Sequence, residues 1–155
     1  QEAPDYFWSM QFLQAVEAIN TLSGIEDIIR LEEEVWQAPR DWLRKQLIHQ
    51  HENYPDRLSL FAVQREGRMA AAGWIFYYPS TQFARFLGGS TLAACRNQGY
   101  YTSLLVARVR DAHQRGYRFI TVDASPMSQP ILHKHGFQCL GYSTNCRWAP
   151  NTKAE

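Results

Sequence analysis

The stretch "CRNQGYYTSLL", residues 95–105, places one glycine directly before a run of residues with helical spacing. The first amides of a helix have no partners within the helix, and a glycine lets a ligand approach the backbone closely. Such amides bind anions well, and phosphate above all. A tight turn into a helix also needs a glycine. Gly99 alone therefore leaves two interpretations open, a phosphate-binding loop or a simple turn.

The composition is that of one globular domain. The chain has 155 residues, of which 45% are hydrophobic. This length supports one sizeable core and is too short for two. We predict a single domain over residues 1–150 and a C-terminal tail over residues 151–155. The sequence starts at Gln1, which leaves open a processed product, a trimmed chain or a piece of a longer protein.

The charges almost cancel, with 16 Lys and Arg against 15 Asp and Glu. No global field then recruits nucleic acid or an anionic membrane, so any anion is bound locally. Three cysteines without a Cys-x-x-Cys pair indicate a reduced compartment rather than a disulfide framework. No apolar stretch approaches the roughly 20 residues that cross a bilayer. We expect a cytoplasmic protein, either a monomer or a homodimer, that binds neither nucleic acid nor membrane.

The first half of the chain predicts two helices and a hairpin. Residues 12–22 are ambiguous between strand and helix, whereas residues 23–36 carry apolar residues near helical spacing after a Ser-Gly start. A second amphipathic helix follows a proline-containing break within residues 37–51. Residues 57–79 are typical of two antiparallel strands around the turn Glu66-Gly67-Arg68.

The second half predicts strands that alternate with helices. Residues 83–94 form a strand, and the pair Gly88-Gly89 indicates a bulge or a close backbone approach. A helix runs from Tyr101 and is closed by Gly116, because the apolar residues recur at steps of three and four. Residues 117–125 form a strand of the buried type, reached through a βαβ crossover.

The last predicted elements are a short helix over residues 127–137 and a strand over residues 137–148. Ser128 is expected to be the N-cap of this helix, Pro130 lies in its first turn, and Gly136 stops it. No internal repeat or interdomain linker interrupts the chain.

The order of these elements, together with one motif, resembles the GNAT superfamily of acyl-CoA N-acyltransferases. The superfamily signature is Gln or Arg, two residues, Gly, one residue, then Gly or Ala. Here the signature reads Arg96-Asn97-Gln98-Gly99-Tyr100-Tyr101, so that two fixed positions match and Tyr101 departs from the third. The resemblance extends over residues 88–137, and the element order carries it across most of the chain.

The resemblance implies an α/β fold with a mixed, mostly antiparallel sheet of about six to seven strands, a splay between strands four and five, and about four flanking helices. It implies acetyl-CoA as cosubstrate, with the pantetheine arm along strand four and the pyrophosphate on the signature loop. The implied cofactor-binding residues are Leu92, Ala93, Arg96, Gln98, Gly99, Tyr100, Tyr101, Thr102 and Ser125. An exposed surface arginine is an equally good interpretation of Arg96.

Acetyl transfer to an amine needs a neutral amine, donors for the oxyanion and a proton for the leaving thiolate. In the family the oxyanion donor is a strand-four amide, which here falls within residues 89–92. The tyrosine that many members use as the acid aligns with Leu132. The catalytic candidates are therefore Asp123, as a base, and Ser128, as a proton donor, although capping explains either residue as well.

The leading hypothesis is an N-acetyltransferase that works by direct attack in a ternary complex on an unidentified primary amine. A non-catalytic acyl-CoA sensor is the alternative, because the usual tyrosine is missing. A metal hydrolase has only loose support, since zinc sites usually have tighter spacing than the available ligand types, which are His49, His51, His133, His135 and Cys139. No metal is expected. Four aromatic residues are candidates for an acceptor groove or for core packing: Trp36, Trp42, Tyr77 and Tyr78.

Overall fold

The computed structural model describes residues 9–144 and residue 146. The chain divides into two compact units, one ending at Val122 and the other beginning at Asp123, and each is described by itself. The first unit holds the sheet and the second holds a short helix. Among the described residues, no helix is both long and apolar enough to span a bilayer.

The sheet has five strands that lie side by side in chain order. The first four are antiparallel, and β5 runs parallel to β4. The mixed, mostly antiparallel α/β architecture is confirmed, with slightly fewer strands than predicted. The strands are β1 (Glu17–Ile19), β2 (Leu58–Arg65), β3 (Arg68–Tyr77), β4 (Phe83–Thr91) and β5 (Phe119–Val122). β1 lies within the segment that the sequence left ambiguous.

Four α-helices accompany the sheet in the described part of the chain, as predicted. They are α1 (Leu22–Trp36), α2 (Asp41–Asn53), α3 (Tyr100–Gln114) and α4 (Gln129–Lys134). Helix α1 starts slightly earlier than the Ser-Gly pair suggested. The reason is its N-cap, Thr21, whose Oγ1 accepts a hydrogen bond from the N–H of Gly24 at 3.1 Å.

The predicted hairpin is confirmed by its turn. Glu66 and Gly67 join β2 to β3, and their φ angles are 53° and 74°. Positive φ at both positions is typical of a type I′ turn, whose twist matches that of the flanking strands.

The core lies on both faces of the sheet. Helix α1 packs against α2, β3 and β4, and α3 packs against β2, β3 and β4. The buried face of α3 is broader than the predicted stripe, because residues from the N-terminal side of β1 lie along this helix as well. Arg110 donates from Nη2 to the carbonyl of Met10 at 2.6 Å, and its guanidinium lies over the ring of Phe12.

Two predictions about the C-terminal elements are wrong. Residues 137–144 form no strand, and Leu140 and Tyr142 are each 93% exposed there, whereas the remainder of the predicted strand includes residues outside those described. β5 is not of the buried type, because its residues alternate between exposed and half-buried. It is an edge strand of the sheet that the described residues form. Helix α4 is shorter than the predicted 127–137.

Candidate active site

The pairing of β4 with β5 stops part-way along β4. Phe83 to Phe86 pair with Phe119 to Val122, and β4 then continues to Thr91. From Leu87 onward no second strand lies beside β4 within residues 9–144. Among the described residues, this edge of β4 therefore has no strand hydrogen-bonded to it beyond Phe86. This matches the expected splay between strands four and five.

A bulge distorts β4 at this open edge. Ala72 lies opposite Ser90 and Gly73 opposite Gly88, which leaves Gly89 as the extra residue. The φ angles of Gly88 and Gly89 are 67° and 104°, a region that disfavours other residues. A Cβ on Gly89 would lie 2.9 Å from Cε2 of Tyr101. The predicted bulge and the predicted close approach are both confirmed.

The strand ends one residue earlier than Leu92, so the predicted strand positions of Leu92 and Ala93 are wrong. Leu92 donates its N–H to the carbonyl of Ala70 at 2.9 Å and accepts from the N–H of Cys95 at 2.8 Å. Ala93 opens a short 3-10 helix, Ala93–Cys95. Both backbone groups of Leu92 are thus engaged, because the chain turns here toward α3. Contact of these residues with a pantetheine arm stays a prediction.

The N-terminus of α3 carries no side-chain cap. Gly99 is its N-cap, with a φ of 81°, and among the described residues no side-chain cap is bonded to the first amides, which belong to Tyr100, Tyr101 and Thr102. Uncapped amides at a helix N-terminus are suited to an anion, and binding of a phosphate here stays a prediction. The side chain of Tyr100 is buried in the core, so the backbone N–H is the only group of this residue that could contact an anion.

Two arginines border the loop before α3. Arg96 is exposed and donates from Nε to the carbonyl of Thr91 at 3.3 Å. Arg65, at the end of β2, donates from Nη1 to Oε1 of Gln98 at 3.3 Å. Sequence analysis missed Arg65, because no local motif marks it. Strand pairing in the sheet brings it to the loop. Gln98 also donates from Nε2 to the carbonyl of Ala94 at 2.9 Å, which holds the loop in shape.

Gly99 has a structural reason of its own. A Cβ at this position would lie 2.5 Å from Cδ1 of Leu13, and the positive φ already favours glycine. Gln14 fixes the same contact, since its N–H donates to Oγ of Ser103 at 3.1 Å and its Nε2 donates to the carbonyl of Gln98 at 3.0 Å. The turn interpretation of Gly99 is therefore satisfied. An argument for phosphate rests on the uncapped amides.

Solved structures of similar fold include several acetyltransferases, although no protein-family model and no curated protein matches the sequence. The aminoglycoside N-acetyltransferase AAC(6')-Iy, bound to a bisubstrate analogue of CoA and acetylneamine, has a TM-score of 0.70 and 20% identity and covers 88% of this chain and 98% of its own. An acetyltransferase from Clostridium acetobutylicum with acetyl-CoA has a TM-score of 0.70 and 17% identity, covering 86% and 96%. A GNAT-family protein from Desulfovibrio desulfuricans has a TM-score of 0.71 and 14% identity, covering 82% and 86%. The chain has the GNAT fold.

The remaining candidates for a GNAT active site lie in the second unit. Asp123 is exposed. Ser125 and Ser128 form a turn, in which Oγ of Ser128 accepts from the N–H of Ser125 at 3.0 Å and Oγ of Ser125 accepts from the N–H of Ser128 at 3.3 Å. Ser128 occupies the N-cap position of α4, but its side chain makes no cap hydrogen bond there. The structure thus brings Ser125 and Ser128 together. Leu132 is buried.

A buried carboxyl group lies beside the bulge of β4. Glu32 of α1 is 5% exposed, and its Oε1 has no hydrogen-bond partner. Burial raises its pKa, and nearby Ser90, Arg40 and Trp36 partly oppose that rise. Trp36 donates from Nε1 to Oγ of Ser90 at 3.1 Å, just beyond the bulge. Sequence analysis missed this cluster, because Glu32 belongs to an acidic run that is typical of a solvated face.

A buried arginine lies on the other face of the same bulge. Arg108 of α3 is 1% exposed, and it donates from Nε to the carbonyl of Leu104 at 3.1 Å and from Nη1 to the carbonyl of Leu87 at 3.4 Å. A Cβ on Gly73 would lie 3.1 Å from its Cζ. Burial lowers the pKa of Arg108 to about 10, so the group stays charged near neutral pH. The helical spacing of apolar residues in the sequence does not reveal that Arg108 is buried.

The other residues singled out from the sequence are scattered. No group of three His, Cys, Asp or Glu side chains suited to a metal ion occurs among the described residues. His133 is exposed, as expected, but His135 is buried, and burial lowers its pKa. Tyr77 belongs to the core, whereas three of the aromatic candidates remain exposed: Trp36 at 52%, Trp42 at 59% and Tyr78 at 38%.

Proposed function

We propose that the protein is an acyl-CoA-dependent N-acetyltransferase that transfers the acetyl group of acetyl-CoA to a primary amine by direct attack. The observation that carries this proposal is the open edge of β4, which leads into the uncapped N-terminus of α3. An extended arm pairs with a strand edge, and a pyrophosphate binds the free amides of a helix. Neighbours of the same fold were solved with CoA or acetyl-CoA.

The proposed acetyl-CoA site follows the chain from β4 into α3. Backbone amides of the loop and first helical turn hold the pyrophosphate, and Arg96 and Arg65 supply positive charge beside them. The full set of proposed cosubstrate residues is Leu92, Ala93, Arg96, Gln98, Gly99, Tyr100, Tyr101, Thr102 and Ser125, to which the structure adds Arg65.

The proposed chemistry is nucleophilic attack of a neutral amine on the thioester carbonyl, with no covalent enzyme intermediate. Within the expected range, residues 89–92, the N–H of Leu92 is already engaged with Ala70, so a backbone N–H of residues 89–91, at the bulge, stabilises the oxyanion. Asp123 is the proposed base, acting directly or through water, and Ser128 is a proposed donor to the sulfur. Leu132 has no group that transfers a proton.

The acceptor is an amine, and an aminoglycoside is a rational first probe. Neighbours of this fold are aminoglycoside acetyltransferases, one of them solved with sisomicin at 13% identity and a TM-score of 0.71. At such identity the likeness concerns the fold, so spermidine and a lysine-containing peptide belong in the same panel.

Calorimetric titration with acetyl-CoA tests the cosubstrate site. We expect Arg65→Ala to weaken binding by about 3-fold to 10-fold, because it removes one partly screened charge from the phosphate loop. Arg68→Ala is the matched control, since Arg68 lies across the same hairpin turn and pairs with Glu34 instead. If the wild type binds neither acetyl-CoA, a longer acyl-CoA nor free CoA, the proposal is wrong. Binding without CoA release to any amine in the panel would favour the sensor.

A further inference from the structure

Tyr101 is the residue at which the sequence departs from the GNAT signature, and its side chain lies against the bulge. It belongs to the first turn of α3, and its ring edge approaches Gly89 so closely that a Cβ there would be 2.9 Å from Cε2. The ring is half-buried. The Tyr101 ring is thereby held against the bulge of β4, where the proposed function places the oxyanion donor and hence the thioester.

The guanidinium group of Arg108 lies close to the ring of Tyr101. Two turns along α3, its Cζ lies 5.9 Å from the Tyr101 ring centroid and 4.4 Å from that of Phe86. The contacts of this buried cation, within the described residues, are to rings and backbone carbonyls rather than to a carboxylate, and its Nη2 has no hydrogen-bond partner. An interaction with Tyr101 opposes the lowering of the Arg108 pKa by burial.

A buried cation without a counterion has an uncompensated desolvation cost, and it attracts strongly any negative charge that develops beside it. A phenolate that forms transiently at Tyr101 is such a charge, and the low dielectric of the buried site strengthens the attraction. The position of the usual acid holds Leu132, a hydrocarbon, so a thiolate in this protein needs a proton from another group.

We propose that Tyr101, in place of Ser128, is the general acid that protonates the leaving CoA thiolate, and that Arg108 positions it and stabilises its phenolate. This inference rests on the proposed function. The amine nitrogen attacks the carbonyl carbon to form the C–N bond, and the C–S bond breaks with its electron pair on sulfur. Sulfur takes the phenolic proton of Tyr101. The nitrogen releases one proton to solvent, and solvent reprotonates the phenolate, so protons balance.

The decisive variant is Tyr101→Phe, which removes one oxygen and keeps the ring that packs on Gly89. Because the interaction acts on the leaving group, kcat should fall by about 10-fold or more, whereas the acetyl-CoA Kd should change less than about 3-fold. Tyr117→Phe is the matched control, since Tyr117 is half-buried against Tyr77 and plays no part in the site. Its kcat should equal that of the wild type.

Arg108 is tested through its coupling to Tyr101. Arg108→Met should lower kcat, Arg108→Lys should restore part of the loss, and Arg108→Met should have little further effect in a Tyr101→Phe background. A purely structural arginine would give the same loss in both backgrounds. Thermal denaturation of each variant checks the fold, because removing a buried unpaired charge need not destabilise the protein.

One readout does not depend on turnover. In NMR spectra of bound acetyl-CoA with an isotope-labelled carbonyl carbon, Tyr101→Phe should shift the carbonyl resonance and Tyr117→Phe should not. CoA release is measured with an aminoglycoside, spermidine and a lysine-containing peptide. Wild-type activity with equal kcat in Tyr101→Phe would overturn this inference and leave the acetyltransferase proposal intact. A wild type that does not bind acetyl-CoA would overturn both.

Discussion

Gly88→Ala is expected to destabilise the protein through two separable effects at the bulge. Gly88 has a φ of 67°, and the left-handed backbone costs alanine about 1–2 kcal/mol. The new Cβ would also lie 2.2 Å from Cζ3 of Trp74, a buried ring that must move, and such overpacking costs about 1–3 kcal/mol. The free energy of unfolding should therefore fall by about 2–5 kcal/mol.

The chain offers a matched control for the backbone effect alone. Gly67, in the hairpin turn, has a φ of 74°, and nothing lies within 4 Å of its added Cβ. Gly67→Ala should thus lose only the left-handed cost, about 1–2 kcal/mol. Thermal denaturation followed by circular dichroism measures both variants, and each kcal/mol corresponds to about 2–4 °C in Tm for a chain of this size.

The difference between the two variants isolates the contact with Trp74. Trp74→Leu in the Gly88→Ala background should recover part of the loss, because the smaller side chain makes room for the methyl group. Equal Tm values for Gly88→Ala and Gly67→Ala would refute the reasoning, since they would mean that no ring lies over Gly88.

Two further predictions concern buried polar groups. The pKa of Glu32 is raised in the folded state, so as the pH rises the carboxyl group of the unfolded chain loses its proton first. The free energy of unfolding therefore falls as the pH rises from the unfolded-state pKa to the folded-state pKa. The Tm of Glu32→Gln minus the Tm of the wild type should therefore be larger at about pH 8 than at about pH 4. An equal difference at the two pH values would contradict this. Tyr77 donates its hydroxyl to Asp111, which Arg115 also contacts at 3.3 Å. Tyr77→Phe should lose about 1–2 kcal/mol in urea denaturation, and exposed Tyr78→Phe should lose almost none.

The features that the sequence predicted correctly are local ones. The turn at Glu66 and Gly67 needs two positive φ angles, and the bulge at Gly88 and Gly89 needs a backbone that only glycine adopts readily. Such requirements act within a few residues and leave a direct mark on residue choice. The start of α3 at Gly99 was visible for the same reason.

The features that the sequence missed depend on packing between distant segments. Arg108 and Glu32 belong to helical patterns in which charges usually face solvent, and only the assembled sheet shows that both are buried beside the bulge. Arg65 reaches the loop before α3 because β2 is held in register with β3. The predicted strand over residues 137–148 fails in its described part because its apolar residues are exposed there.

The contact of residues 10–14 with α3 has a consequence for how the chain folds. Its hydrogen bonds join residues separated by 84, 89 and 100 positions. During synthesis, residues 10–14 leave the ribosome well before α3 exists, and closing so long a loop is slow and entropically costly. These residues must therefore wait in solution until the helix has formed. The order of translation and the order of docking thus differ, because residues 10–14 are made before α3 and can dock only after it.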